Sequence, residues 1–281
     1  MSVDMSLAGA PARSAKARGE RFARSDTFEW LARAGLAARG AVYGIIAILA
    51  IKLALGDGGK ATNQQGALKT IAAQPFGKAL LIVLAIGLLG YAAWRLTRAA
   101  IGHGRETTDD VKGRISGAVS GLGYAALFVT AVQIIAGSGG GGGSGQADKA
   151  TGGALGWPGG PWLVGLVGLI IVAAGLDEGR RALTRSFCEK SRTERMSRRM
   201  RQAFTAAGVF GHLARMVVFV LMGYFLVRAA IAFDPDKAVG LDGALAKLAH
   251  APYGPVLLGI VAVGLLGFAA YSALDARYRQ V

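Results

Sequence analysis

The chain has 281 residues, of which 53% are hydrophobic and 17% charged, and its mean hydropathy is +0.42. Soluble domains carry roughly 25% charged residues, so these values exclude an ordinary globular protein. The single cysteine, Cys188, excludes an internal disulfide framework and a cluster of thiolate metal ligands. The net charge of +15 taken alone suggests a nucleic acid or an anionic membrane surface as partner.

The N-terminal segment is basic and has no apolar core of the kind that a secretory signal peptide requires. We therefore expect residues 1–29 to form a disordered, basic tail on the cytoplasmic side of a membrane.

Six apolar segments follow this tail, and most approach the roughly 20 residues that a helix needs to cross a bilayer. Because lipid cannot hydrogen-bond the backbone, a spanning segment must satisfy its own N–H and C=O groups, as a helix does. The period-2 alternation of a barrel strand is absent from all of them. The sequence thus predicts an all-α membrane protein with six transmembrane helices, at approximately 36–55, 79–100, 115–137, 162–176, 213–233 and 255–274.

The basic residues are unevenly divided between the two sides of these spans. With the N-terminus in the cytoplasm, 24 of the 32 Lys and Arg residues lie on that side and 8 on the other. The positive-inside rule then places both termini in the cytoplasm, and we expect a bacterial inner membrane. Most of the net charge becomes an orientation signal, and anionic lipid headgroups become the favoured partner. A nucleic-acid partner is not expected, because no aromatic residues alternate with the basic ones in the loops.

Four short landmarks recur in one order along the chain, which indicates an internal repeat. Each unit contains two spans, so all units insert in the same orientation. We predict three parallel two-helix repeats around a pseudo-threefold axis. The landmarks lie at 39–43, 120–124 and 215–219; 66–68, 153–155 and 243–245; 74–77, 157–160 and 251–254; and 87–92 and 264–269. The predicted organisation is a tail over 1–29, repeat 1 over 30–102, repeat 2 over 114–187, a basic interfacial linker over 188–203 and repeat 3 over 204–281.

The motifs at 38–43, 65–68, 74–77 and 90–92 resemble those of a bacterial membrane family known as domain of unknown function 1206. The resemblance covers about residues 30–280 and implies three two-helix repeats. It implies no activity, substrate or catalytic residue. The middle repeat departs most from the pattern, because it has Ser120 where the others have Arg and because its outer loop is rich in glycine.

Polar residues within the spans are the candidate functional positions. An inward-facing arginine needs a counter-charge to offset its desolvation, and Glu178 or Asp275, near the inner ends of even-numbered spans, could supply it. The alternative is structural anchoring, since long basic side chains near an interface reach water at little cost. The candidate intramembrane residues are Arg39, Tyr43, Ser120, Tyr124, His212 and Arg215.

The loop 180–201 is the most basic stretch of the chain. We predict an interfacial helix there, broken near Ser191, that binds anionic lipid. The alternative is a solvated anchor that only fixes the topology. The candidate lipid contacts are Arg192, Arg195, Arg198, Arg199 and Arg201.

The outer loops carry weaker patterns. Thr62 with Gln65 fits a capping box and predicts a short helix in the first loop. Leucines at 241, 245 and 248 share one helical face in the third loop. Five consecutive glycines at 139–143 predict a flexible coil in the middle loop.

The sequence contains no Ser-His-Asp set, no metal-ligand spacing and no pair of carboxylates inside the spans, so we expect neither an enzyme nor a cofactor. Two function classes stay open. One is a membrane scaffold or a partner- or lipid-binding module, and the other is a small-solute or ion transporter or channel along the pseudo-threefold axis. The almost wholly apolar middles of the spans favour the first class. The sequence does not identify a protein partner.

Overall fold

The computed structural model of the chain describes residues 26–57, 59–101, 111–138, 146–234 and 237–279. Nearly all of the predicted tail and the glycines at 139–143 lie outside these ranges. Within them, the regular structure is helical, apart from an isolated bridge between Ser191 and Arg279.

Nine α-helices follow one another in the described residues, and six of them are long and apolar enough to cross a membrane. A helix of 25 residues is about 37 Å long, which exceeds the roughly 30 Å of a bilayer's hydrocarbon core. The predicted all-α fold with six long apolar helices is therefore confirmed. The helices are α1 Asp26–Ala54, α2 Gln64–Ala72, α3 Gly77–Ile101, α4 Val111–Ile135, α5 Gln146–Leu155, α6 Gly160–Thr184, α7 Arg198–Ala232, α8 Leu241–Ala249 and α9 Gly254–Tyr278.

The three short helices α2, α5 and α8 each connect two long ones at the same end of the bundle. We call the other end, at which α1 begins and α9 ends, the basic end. The N-cap of α2 is Asn63, whose side chain accepts a 2.9 Å hydrogen bond from the Gly66 amide, so the capping box assigned to Thr62 is wrong. Helix α5 was not predicted, because its apolar residues are three alanines and one leucine and because it contains two consecutive glycines, Gly152 and Gly153.

The long helices pack between repeats as well as within them. The first long helix of each unit packs on the second long helix of another unit, as α1 on α9, α4 on α3 and α7 on α6. Within units, α1 packs on α3 and α7 packs on α9. In the described residues α4 and α6 have no comparable contact. In the described residues the six long helices thus pack as a series, α4–α3–α1–α9–α7–α6. We call the break between its two end helices, α4 and α6, the opening of the ring, and the pseudo-threefold axis stays a prediction.

Burial follows this asymmetry. In the most apolar stretch of each long helix, half of the residues are buried in α1, α3 and α9, against 28% in α7, 22% in α6 and 17% in α4. The core is built on the first group of helices and includes Ile46, Leu88 and Leu265. In a membrane, the exposed apolar side chains of α4 and α6 face lipid or the opening of the ring.

Candidate functional site

A layer of buried polar side chains crosses the bundle toward the basic end. The Nη2 atom of Arg39 on α1 lies 3.6 Å from Oδ2 of Asp275 on α9. The Nη1 atom of Arg215 on α7 lies 3.4 Å from Oε1 of Glu178 on α6. Each pair joins the first long helix of one unit to the second long helix of another. Among the partners that the sequence left open, the geometry assigns Asp275 to Arg39 and Glu178 to Arg215.

Both arginines are largely removed from solvent. The side chain of Arg39 is 11% exposed and that of Arg215 is 17% exposed, while Asp275 is fully buried. Removing such charges from water costs several kcal/mol per ion, on the order of what the attraction within each pair returns. The layer therefore depends on each charge keeping its partner.

The ring of Phe268 contacts both guanidinium groups. Its centroid lies 5.0 Å from Cζ of Arg39 and 4.5 Å from Cζ of Arg215. Tyr43 packs edge-on against the same ring, with centroids 4.9 Å apart. A cation near an aromatic face gains about 0.5–2 kcal/mol, so these rings replace part of the lost hydration.

The hydroxyl of Tyr91 on α3 accepts hydrogen bonds from two arginines. Arg39 Nη1 lies 3.4 Å away and Arg95 Nε 3.1 Å away. Arg95 makes no ion pair with any described residue. Tyr124 of α4 packs edge-on against Tyr91 with centroids 4.5 Å apart. Helix α4 therefore reaches the polar layer through an aromatic contact.

Asp275 also ties the layer to the loop before α7. Its Oδ1 atom accepts a 2.7 Å hydrogen bond from the Ser191 hydroxyl, and its Oδ2 atom accepts a 3.2 Å hydrogen bond from Arg279. The amide of Arg192 donates to the carbonyl of Tyr278 at 2.8 Å. One carboxylate thus holds together α1, the end of α9 and the connecting loop.

His212 lies beside Glu178 and is buried. Its Nδ1 atom is 2.7 Å from the carbonyl oxygen of Gly208, and since a carbonyl only accepts, Nδ1 carries the hydrogen. Its Nε2 atom is 3.7 Å from Glu178 Oε2, which is longer than a hydrogen bond. The ring stacks on Phe187 with centroids 4.9 Å apart. These contacts give His212 a packing role.

The family described as Domain of Unknown Function (DUF1206) matches the chain three times, over residues 34–102, 115–185 and 210–279. The chain belongs to the DUF1206 family. The three matches coincide with the three long–short–long helical units, so the predicted three-repeat architecture is confirmed.

A relative in Bacillus subtilis (strain 168), named "Uncharacterized protein YxxB", is 32% identical over 264 residues. The aligned region covers 92% of this chain and 94% of the relative. This similarity supports the predicted bacterial origin. No solved structure matches the chain.

The repeats of this DUF1206 protein supply their layer residues differently. Ser120 occupies in α4 the position of Arg39 and Arg215, and it is half-buried and uncharged. At the contact of α3 with α4 the cation instead comes from α3, as Arg95. Arg95 and Tyr91 were not among the candidate residues predicted from the sequence. Their i, i+4 spacing places them side by side on a helix, and this spacing beside the 90–92 landmark could have indicated the contact.

The basic loop differs from the predicted interfacial helix. Helix α6 continues to Thr184, and two short 3₁₀ turns, Ser186–Lys190 and Thr193–Arg195, lead to α7. Phe187 and Met196 of this loop are buried. The burial of these apolar side chains holds the loop against the bundle. Ser191 is buried against Asp275. Among the candidate lipid contacts, Arg192 is half-buried, and the exposed positions are Arg195, Arg198, Arg199 and Arg201.

Proposed function

We propose that this protein is a non-enzymatic, membrane-embedded module that binds a lipid of the surrounding bilayer. The observation that carries the proposal is the opening of the ring between α4 and α6. A closed ring would separate the polar layer from the membrane. An open one lets a ligand approach the layer sideways, from within the bilayer.

The two helices that border the opening expose apolar side chains of the kind that an acyl chain contacts. Helix α4 leaves Leu122 and Val129 exposed, and α6 leaves Leu166 and Ile170 exposed. An ordered lipid bound between these helices would bury part of this apolar surface. Without a hydrophobic driving force between apolar groups in lipid, packing of this kind is what provides affinity.

Transport along the bundle axis receives less support. The half of the bundle away from the basic end is filled by fully buried Ile46, Leu81 and Leu258. The short helices α2 and α8 add the buried side chains of Leu68 and Leu245 to the same core. A continuous pathway would require this packed core to separate. Binding from the side requires no such change.

The orientation belongs to the proposal as well. We place the basic end at the cytoplasmic face of a bacterial inner membrane, with both termini in the cytoplasm. The support is the excess of Lys and Arg on that side, since the positive-inside rule acts on short loops of this kind. The exposed arginines of the loop before α7 would then face anionic headgroups.

Native mass spectrometry of the purified protein in detergent tests the proposal. We expect one lipid per protein to survive collisional activation that strips the annular lipids. A distribution of weakly held lipids, all lost together on activation, would contradict lipid binding at a defined site. Anion or cation flux above background in proteoliposomes would instead favour the transporter alternative.

A further inference from the structure

We infer that the arginine-rich part of the polar layer is a headgroup site, in which Arg39, Arg95 and Arg215 bind the phosphate of an anionic phospholipid. The acyl chains of this lipid would lie in the opening between α4 and α6. The inference rests on the proposed function and names the ligand of the same opening.

The charges of the layer do not balance. Asp275 serves two arginines, since Arg39 and Arg279 both lie within 4 Å of its Oδ2 atom, at 3.6 and 3.2 Å. Glu178 pairs with Arg215 at 3.4 Å, whereas Arg181, at 4.0 Å from Glu178, has its closer partner in Asp177 at 2.8 Å. Arg95 adds a further cation without a described carboxylate. Excess positive charge within an apolar bundle is costly, so an anion from outside the chain would stabilise it.

Arg39 and Arg215, two of the three arginines assigned to the site, each have a buried donor without a hydrogen-bond partner in the described part of the chain. These donors are Nη2 of Arg39 and Nε of Arg215, and Oε2 of Glu178 is a buried acceptor without one. The contact of Arg39 Nη2 with Asp275 at 3.6 Å is an ion pair, but it is too long for a hydrogen bond. Unsatisfied guanidinium donors suit phosphate oxygens, because the planar group presents paired N–H bonds that match them.

The position of the layer favours a lipid phosphate over a free one. Arg95 lies two residues before the end of the apolar stretch Gly77–Thr97, and Arg39 lies seven residues after the start of the stretch Ala32–Ala54. At 1.5 Å per residue, Arg95 is within about one turn and Arg39 within about two turns of the interface, where phospholipid headgroups reside. Tyr124, on the helix that borders the opening, contacts Tyr91 and is itself only half-buried.

The experiment measures headgroup preference in mixed bilayers. The full-length protein is reconstituted in nanodiscs of phosphatidylglycerol and phosphatidylcholine with identical chains, and the retained lipid is identified by native mass spectrometry. We expect wild type to retain phosphatidylglycerol preferentially. Arg95→Gln should lower that preference about tenfold, the usual effect of losing one hydrogen bond to a charged group.

The chain offers a matched control at its opposite end. Arg228 donates a 3.0 Å hydrogen bond to the hydroxyl of Tyr224, four residues earlier, as Arg95 does to Tyr91. Arg228 is exposed and lies outside the polar layer. Arg228→Gln makes the same change in charge and should leave the preference unchanged.

Each outcome decides a different point. Retention of a lipid without headgroup preference, or equal effects of Arg95→Gln and Arg228→Gln, would overturn the headgroup site and leave the proposed function intact. Retention of no lipid by wild type would overturn the proposed function itself. Displacement of the lipid by millimolar inorganic phosphate would show that the site takes free phosphate instead. If Arg95→Gln does not fold, Arg95→Met removes the charge from a side chain of similar length, and an unchanged preference in that variant would equally overturn the inference.

Discussion

At the scale of single residues, Asp275 is the fully buried carboxylate of the layer. It accepts hydrogen bonds from Ser191 and Arg279 and forms an ion pair with Arg39, while being fully buried. Arg39 and Arg279 are largely removed from solvent, so water replaces little of the interaction with the Asp275 carboxylate. Loss of this charge should therefore cost more stability than loss of a surface ion pair.

Asp275→Asn should destabilise the protein strongly. The substitution removes the carboxylate with which Arg39 and Arg279 pair, and removing one partner of a buried pair costs about 3–5 kcal/mol. Thermal unfolding in nanodiscs should show a clearly lowered midpoint. Asp234→Asn removes a carboxylate from an exposed pair with Lys237 at 3.3 Å and should shift the midpoint little, since such pairs contribute about 0–1 kcal/mol. Similar shifts for both variants would argue against a buried charge network.

A smaller residue-scale prediction concerns the start of α2. Asn63→Ala removes the side-chain oxygen that accepts from the Gly66 amide, and the loss of an N-cap costs about 1 kcal/mol. Hydrogen exchange of the α2 amides should accelerate. Thr62→Ala should have the smaller effect, and the reverse order would restore the capping box expected from sequence.

At the scale of elements, close contact of helix backbones holds the periphery of the bundle. Helix α6 packs on α7 through Gly168 and Gly223. A Cβ atom at Gly223 would lie 2.6 Å from the carbonyl oxygen of Gly168 and 2.8 Å from the amide nitrogen of Val172. Backbone atoms of a helix cannot move aside individually, so any side chain there must displace α6 as a whole.

Gly223→Ala should therefore weaken the contact of α6 with α7. Gly123→Ala on α4 is the matched control, because a Cβ there meets no atom within 4 Å and alanine is the better helix former. We expect faster proteolysis and a lower unfolding midpoint for the first variant only. Equal stability of the two variants would mean that the two helices are not in close contact in the membrane.

At the scale of the whole molecule, the two ends of the bundle differ in charge and construction. One end carries the three short helices, and the other carries the loop of 3₁₀ turns that packs on the end of α9. Since each unit has an even number of long helices, this difference is the same for all three units. The orientation in the membrane can accordingly be tested with one residue on each side.

Labelling with a membrane-impermeant maleimide tests that orientation. Cys188 is first replaced by alanine, so that only the introduced cysteines are labelled. In the native protein, burial raises the pKa of the Cys188 thiol, so we expect it to react slowly with maleimide at neutral pH and faster as the pH rises. Gln74→Cys and Thr184→Cys then provide exposed positions at the opposite ends. In intact cells we expect labelling of the first, and of the second only after permeabilisation. Labelling of both from the same side would overturn the topology.

The sequence by itself determined the six apolar helices, the three repeats and the charge asymmetry, because helix length, hydropathy and repetition are local properties of a chain. It also marked Arg39 and Arg215 as equivalent positions that would need counter-charges. Only the tertiary structure decided which carboxylate meets which arginine, since that depends on α1 packing on α9 and α7 on α6. The meeting of Arg39 with Tyr91, where Arg95 also binds, and the opening between α4 and α6 were decided in the same way. Both depend on how separate helices pack, and the hydropathy of α4 and α6 is the same whether or not they touch.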